Sequence, residues 1–238
     1  MRYKLICIND KYSSFFRRRN EKTPVKSRIN IMAVKHTMVD FVYLMFLLAK
    51  NAWCIKKVHG KGFGVFTKKS IKAGSVISDY LGKVIKTAEY DLDKDKQGLY
   101  LMYLTDRASI YPNLSEPGPH LINHSCTPNC WIYIYHGHTL FFALRDIDSG
   151  EELTISYLLS PDEDTCKPCT HVCNCGSKNC KGTFHLSKEK YKRWQKFQDS
   201  EKKKMKVAKF VFGKNLPRLP SYPKMVPVNS IYKTMCLF

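Results

Sequence analysis

Residues 123–130 read Asn123-His124-Ser125-Cys126-Thr127-Pro128-Asn129-Cys130, which is the strongest local signal in this chain of 238 residues. An Asn-His pair followed by a Pro-Asn turn offers several side-chain hydrogen-bonding groups within one tight bend. Taken alone, the segment could also be a turn whose polar groups are satisfied by hydrogen bonds. A second segment, residues 173–180, has the cysteine spacing CxCxxxxC, and its cysteines can share a metal ion with the first segment.

The second segment is typical of a metal site. Three thiolates on a glycine-containing knuckle, from Cys173, Cys175 and Cys180, match a tetrahedral zinc site that still lacks one ligand, and Cys126 can supply it. Zinc–thiolate binding is worth on the order of 10–16 kcal/mol in small peptide sites, enough to fix a C-terminal flap to the core. Disulfides are the alternative. A CxxC formed by Cys166 and Cys169, with His171 close by, leaves a second or alternative ligand set open.

Composition favours a folded, soluble, intracellular protein. Hydrophobic residues make up 44% of the chain, enough for a core. The first ten residues lack the features of a signal peptide, and the most apolar run, Val39–Ala49, is too short to span a bilayer. We expect that run to be a buried helix or strand. The chain has ten cysteines, and in a reducing compartment clustered cysteines bind metal more often than they pair. Cys7, Cys54 and Cys236 are predicted to be small hydrophobes.

The charge balance is strongly basic, with a formal net charge of +20 at pH 7. Such a field favours polyanions such as nucleic acid or an acidic surface, although a lysine-rich proteome or a solvated tail explains it as well. The triplet Arg17-Arg18-Arg19 predicts a phosphate contact, a localisation signal or a plain flexible leader.

Short alternating segments separated by turn residues predict a mostly β (α+β) fold. Residues 131–135 and 140–144, joined by His136-Gly137-His138, form a predicted hairpin. Tyr191, Trp194 and Phe197 recur at helical spacing after Ser187, and a proline-dotted end follows that we expect to be extended and partly disordered. The predicted organisation is a basic N-terminal extension at 1–50, a mostly β domain at 51–160, a cysteine-rich segment expected to bind zinc at 161–186, and a basic C-terminal helix and tail at 187–238.

Two further segments are weak signals alone but are informative together with residues 123–130 and 173–180. Lys61-Gly62-Phe63-Gly64 lets backbone approach a ligand closely, because glycine carries no side chain. The strand predicted at residues 152–157 ends in Tyr157, and a strand-end tyrosine is by itself usually a half-buried core residue.

Together these segments resemble the SET-domain protein lysine methyltransferases. The resemblance runs from about Val58 to Phe184, and its motifs come in family order: the glycine turn, the strand end at 79–82, Tyr100, the box at 123–130, the segment 150–157, and the post-SET cysteine knuckle. The family fold implied is a set of small curved sheets with knot-like C-terminal threading, with helical extensions here. That threading would bring Asn123 and His124 next to Tyr157.

The resemblance also implies roles for individual residues. Tyr157 would be the catalytic tyrosine, and Tyr100 would line the lysine channel and contact the cofactor. Lys61, Gly62, Phe63, Asn123 and His124 would hold S-adenosyl-L-methionine, the methyl donor. Zn²⁺ would be held by the four cysteines Cys126, Cys173, Cys175 and Cys180.

Three positions differ from the usual family pattern. His120 stands where arginine is common, and Asp79 stands where glutamate is usual. Ile155 stands where many relatives have Phe or Tyr, which suggests the hypothesis that the channel admits di- or trimethylation.

The implied function is S-adenosylmethionine-dependent protein-lysine N-methylation, with a histone tail as the expected substrate. The implied location is the nucleus or chromatin, in the source cell or in a host cell. Contact with nucleosomal DNA through the basic regions is a further expectation, and no membrane partner is expected. The alternatives are a catalytically weak, zinc-containing module that binds chromatin or nucleic acid, and methylation of non-histone proteins.

Overall fold

Short β-strands form most of the regular structure in the computed structural model, which describes residues 45–90, 100–161, 171–202 and 207–228. The strands are β1 (Trp53–Val58), β2 (Gly62–Thr67), β3 (Val76–Asp79), β4 (Lys83–Lys86), β5 (Met102–Tyr103), β6 (Ala108–Tyr111), β7 (Asn123–His124), β8 (Cys130–Tyr135), β9 (His138–Ala143) and β10 (Thr154–Ile155). One α-helix, α1 (Lys188–Lys202), and two 3-10 turns, Thr87–Glu89 and Pro119–Leu121, complete the regular elements of these ranges. The arginine triplet at 17–19 and Cys7, Cys166, Cys169 and Cys236 lie outside the described residues.

The strands form four small sheets, with the orders β1-β2, β3-β9-β8, β4-β6-β5 and β10-β7. All pairs are antiparallel except β7 with β10, which is parallel. The prediction of a mostly β fold of small sheets is therefore confirmed. The predicted hairpin is also present: β8 and β9 pair from Cys130↔Ala143 to Tyr135↔His138. Its turn has positive φ at His136 (50°) and Gly137 (80°), the conformation that a two-residue hairpin turn requires.

The core consists of two clusters of buried side chains. The larger one includes Ile77, Phe141 and the stacked pair Phe46–Trp53, whose ring centroids lie 4.0 Å apart. The predicted burial of Val39–Ala49 holds for Met45 and Phe46 but not for Ala49, which is exposed, and residues 39–44 lie outside the described part of the chain. Cys54 is fully buried, as predicted for a small hydrophobe.

The parallel β7–β10 pair fixes the position of the segment that follows it. Thr154 is in register with Asn123 and Ile155 with His124, and Ser125 N–H donates to the Ile155 carbonyl at 2.9 Å. The chain leaving β10 therefore runs beside β7, and the Tyr157 N–H donates to Nδ1 of His124 at 3.1 Å. The predicted knot-like threading implies this arrangement, in which the Asn123-His124 pair lies next to Tyr157.

The helix predicted after Ser187 is confirmed. Trp194 is only 6% exposed and packs edge-on against Trp131, with ring centroids 5.9 Å apart, which fixes α1 to the β3-β9-β8 sheet. Neither α1 nor any other helix in the described ranges is both long enough and apolar enough to cross a membrane.

The described part of the tail after α1, residues 207–228, is extended as predicted, and it bonds to the core. Its backbone carbonyls accept hydrogen bonds from two strands. The Val84 N–H of β4 donates to the Lys214 carbonyl (2.9 Å), and the Val76 N–H of β3 donates to the Lys224 carbonyl (3.0 Å). The Tyr222 hydroxyl donates to Oδ2 of Asp79 at 2.8 Å, and the fully buried Asp79 also contacts Nδ1 of His138. Burial and the Asp79 charge raise the pKa of Tyr222 to about 12.

Candidate active site

One cavity of about 350 Å³ brings the predicted ligand-binding residues together. Its wall contains every residue expected for cofactor or lysine contact, namely Lys61, Gly62, Phe63, Tyr100, Asn123, His124 and Tyr157. The wall also contains residues for which no role in a ligand pocket was predicted, namely Gly60, His120, Leu121, Val172, Asn174 and Phe184, and the cluster cysteine Cys175. A volume of this size lies within the usual range for small-molecule sites, roughly 300–1,000 Å³.

The β1–β2 turn forms one side of the cavity and depends on its glycines. Gly60 and Gly62 have φ angles of +73° and +79°, in the left-handed region that disfavours side chains. Gly64 is required for a different reason, because a Cβ there would lie 2.6 Å from Oε1 of Glu152 and 2.9 Å from Nδ2 of Asn123. A side chain at position 64 would therefore have to displace the side chains of Glu152 and Asn123.

A small polar network holds this turn against β7. Nδ2 of Asn123 donates to the Phe63 carbonyl at 3.1 Å and to Oε1 of Glu152 at 2.7 Å. Oε2 of Glu152 lies 3.4 Å from the Lys61 ammonium, and both of these side chains are only 17% exposed. Glu152 is a residue that sequence reasoning missed. Its partners lie 29 and 91 positions away along the chain, so no local pattern reveals them.

His124 connects the cavity to the cysteine cluster. Burial, and then the Lys61 charge, lower its pKa to about 4, so the ring is neutral at neutral pH. Because Nδ1 accepts the Tyr157 N–H, the ring proton lies on Nε2, which is 3.5 Å from Sγ of Cys126. One imidazole thus contacts both the backbone of Tyr157 and a sulfur of the cluster.

Three aromatic rings form the adjoining wall. The centroid of Phe184 lies 4.9 Å from that of His124 and 5.4 Å from that of Tyr157, and the centroids of His124 and Tyr157 are 5.3 Å apart. Phe184 belongs to the C-terminal flap, residues 171–186, which also carries Cys173, Cys175 and Cys180. The flap therefore forms part of the cavity wall.

On the other side of the cavity, Tyr100 contacts Tyr80 and His120. Its carbonyl accepts the Tyr80 hydroxyl at 2.7 Å, and its ring meets His120 edge-on, at 5.8 Å and 88°. Burial lowers the pKa of His120 to about 4, so this side chain is neutral where a cation is expected. Within the described ranges its buried Nδ1 has no hydrogen-bond partner. Ile155, the third position that differs from the usual family pattern, is buried in the core and does not line the cavity.

The four predicted metal ligands form one cluster. The sulfurs of Cys126, Cys173, Cys175 and Cys180 all lie within 4.8 Å of one another. The separations are 3.8 Å for Cys126–Cys173 and 3.7 Å for Cys180–Cys173. Tetrahedral zinc with Zn–S bonds of about 2.3 Å needs sulfurs about 3.8 Å apart.

Backbone donors complete the surroundings of this cluster. The Lys181 N–H donates to Sγ of Cys126 at 3.3 Å, and the Gly182 N–H to Sγ of Cys180 at 3.5 Å. Such bonds stabilise thiolates rather than thiols. These four cysteines are free of disulfides, so the donor set fits a zinc ion.

Comparison with known proteins agrees with these motifs. Residues 62–158 match the family model described as the SET domain. The chain is 35% identical over 159 residues to the histone-lysine N-methyltransferase trithorax of Drosophila virilis, covering 63% of this chain and 4% of that protein. It is 35% identical over 133 residues to the human histone-lysine N-methyltransferase 2B, covering 52% of this chain and 5% of that protein. The chain thus spans only a small part of the length of these relatives.

Among solved structures, one similar chain is described as KRYPTONITE in complex with mCHG DNA and SAH. The similarity has a TM-score of 0.46 at 25% identity and covers 55% of this chain and 28% of that one.

Proposed function

We propose, from the SET domain that this chain carries at residues 62–158, that the protein is an S-adenosylmethionine-dependent protein-lysine N-methyltransferase. The observation that carries the proposal is the shared cavity. Tyr157, Tyr100, the β1–β2 turn and the Asn123-His124 pair line one space beside a four-cysteine cluster. The names of the similar proteins support the same reaction class.

The cavity suits the proposed cofactor in its size and its polarity. We assign the cofactor to the side formed by Lys61, Gly62, Phe63, Asn123 and His124, where a glycine turn lines the cavity and the Lys61 ammonium is paired with Glu152. When bound, S-adenosylmethionine would supply a methyl group on a sulfonium, open to in-line displacement by an amine. Since Nδ2 of Asn123 is bonded to Phe63 and Glu152, its amide would act mainly by shaping this wall.

Tyr157 and Tyr100 are the proposed catalytic residues. A lysine amine has a reference pKa near 10.4, so its deprotonation costs about 4–5 kcal/mol at pH 7. Burial of the amine between aromatic walls lowers that cost, because desolvation disfavours the charged form. We assign the orientation of the amine to the Tyr157 hydroxyl and the lining of the lysine channel to Tyr100. Positioning then supplies much of the rate, and no carboxylate base is required.

The cysteine cluster would contribute by holding the flap. Zinc on Cys126, Cys173, Cys175 and Cys180 would join residues 171–186 to β7, and with them Phe184, which lines the cavity. The ion has a structural role in this proposal, since four sulfur ligands leave no open position for chemistry.

The proposed substrate is a histone tail, and the proposed location is the nucleus or chromatin. The basic chain would not attract a cationic histone tail by itself, but it suits DNA-wrapped histones. We therefore expect tighter binding to nucleosomes than to free histones at low salt, with an affinity that falls as salt rises. Di- or trimethylation was predicted from Ile155, but Ile155 does not line the cavity, so the degree of methylation stays a hypothesis that mass spectra of the product would test.

The direct experiment compares the zinc-loaded protein with Tyr157→Phe in a methylation assay on recombinant nucleosomes, read by mass spectrometry. Loss of the phenolic hydroxyl should lower kcat at least tenfold while cofactor binding, measured by calorimetry, stays close to that of the wild type. Tyr103→Phe is the matched control, because this exposed tyrosine bonds to the nearby Asp106 and does not line the cavity. Equal activity of Tyr157→Phe and wild type would disprove the assignment.

The same experiment distinguishes an active methyltransferase from the alternative, a binding module. A catalytically weak zinc-containing module would bind chromatin or nucleic acid but would neither bind S-adenosylmethionine nor produce methylated lysine.

A further inference from the structure

Two histidines outside the four-cysteine cluster meet with their ring nitrogens facing each other. Nδ1 of His171 lies 3.1 Å from Nε2 of His185, and the rings are nearly perpendicular, with an interplanar angle of 78°. Both side chains are half-buried. Two imidazole nitrogens bound to one tetrahedral zinc ion at about 2.0–2.1 Å stand about 3.3 Å apart, close to the observed separation.

The second nitrogen of His185 is engaged in the manner typical of a metal ligand. Its Nδ1 donates to the Ser160 carbonyl, which places the ring proton on Nδ1 and directs the lone pair of Nε2 toward His171. Zinc-bound imidazoles almost always donate their other N–H to a carbonyl or carboxylate, since this fixes the tautomer and the ring orientation. The sequence independently leaves open a second ligand set around His171.

The backbone around the pair holds its two imidazoles on adjacent segments. Leu159 and His185 form a parallel bridge, Val172 and Thr183 an antiparallel one, and the Phe184 N–H donates to the His171 carbonyl at 3.0 Å. The histidines therefore lie where the segment leaving the β10 strand meets both arms of the flap. An ion at this point would link three stretches of chain.

We propose that His171 and His185 are ligands of a second zinc ion, distinct from the ion held by the four cysteines. Two imidazoles occupy two of the four positions of zinc and leave two for other donors, water among them. The site has a structural purpose. It braces the flap next to Phe184, whose ring packs on His124 and Tyr157 and lines the cavity.

The test is the zinc content of the purified full chain, measured by plasma mass spectrometry after dialysis against zinc-free buffer. The wild type should contain two zinc ions per chain. The double variant His171→Ala, His185→Ala should contain one. The matched control, His59→Ala with His136→Asn, removes two exposed imidazoles and should keep two.

X-ray absorption at the zinc edge of the wild type covers the case in which the double variant fails to fold. We expect imidazole nitrogen at about 2.0–2.1 Å in addition to sulfur at about 2.3 Å. A wild type with one zinc ion, a double variant that keeps two, or a spectrum with sulfur alone would each overturn the second site. The four-cysteine site and the proposed methyl transfer would then still stand, whereas a wild type without zinc would overturn both metal assignments.

Discussion

Replacing His120 with a residue that does not titrate should weaken the dependence of the free energy of unfolding on pH. In the folded protein burial lowers the pKa of His120 to about 4, while in the unfolded chain it returns to its ordinary value of 6.5. Between these two values the unfolded chain binds more protons, so the free energy of unfolding rises with pH and falls on acidification. This contribution is complete above about pH 6.5 and is lost as the pH falls toward 4.

The size of the effect follows from the same two pKa values. At about 1.4 kcal/mol for each unit that separates the two pKa values, the largest contribution is about 3.5 kcal/mol. Between pH 7 and pH 5 the loss is about 2 kcal/mol. With a urea dependence of about 1–3 kcal/mol per molar, this lowers the unfolding midpoint by about 1 M.

The assay compares urea unfolding of zinc-loaded wild type and His120→Phe at pH 7, 6 and 5. Phenylalanine cannot titrate but preserves a ring edge-on to Tyr100. All other titrating groups, including His124 and the cysteines, are common to both proteins, so the difference between the two pH dependences reports His120. The variant should lose about 2 kcal/mol less than the wild type. Parallel curves would show that burial does not hold His120 neutral, and would refute the proposed cause of the pH dependence.

Three further outcomes are expected. Removing the metal with a chelator should abolish methyl transfer and addition of zinc should restore it, because zinc–thiolate binding of about 10–16 kcal/mol exceeds or equals the stability of a typical domain; full activity of metal-free protein would contradict this. Gly64→Ala should cost about 1–3 kcal/mol in urea unfolding and weaken S-adenosylmethionine binding in calorimetry, because the added Cβ would lie 2.6 Å from the Glu152 carboxylate. Unchanged cofactor affinity would mean that the glycine turn does not form the binding wall. Trp194→Ala should lower the free energy of unfolding by about 3–5 kcal/mol, because the indole is buried against Trp131, whereas a loss below about 1 kcal/mol would show that α1 is not fixed to the sheet.

Local patterns predicted those parts of the fold whose partners are close along the chain. The β8–β9 hairpin follows from alternation around the His136-Gly137 turn. The helix after Ser187 follows from apolar spacing. The strand expected at residues 152–157 is reduced to Thr154–Ile155, since only these two residues pair with β7. Two-residue strands are too short to have a periodicity of their own.

The candidate site was predictable to the extent that its residues occur in motifs. The residues proposed for cofactor, lysine and metal do converge on one cavity and one sulfur cluster. His120 and Glu152 lie beside or within these motifs, but no local pattern predicts their contacts in the site. Phe184 was missed for the same reason, because a single aromatic residue in a loop carries no sign of the ring that it will contact.

The sequence by itself determined the local elements, the cysteine spacing and the family to which the motifs point, since backbone propensities and turn chemistry act over a few neighbouring residues. Only the tertiary structure decided that β10 pairs in parallel with β7, that Glu152 bonds to both Asn123 and Lys61, and that His171 faces His185. Such contacts join residues far apart along the chain. They form because burial of the whole core compensates the entropy of closing the loops between them, and no short segment encodes that balance.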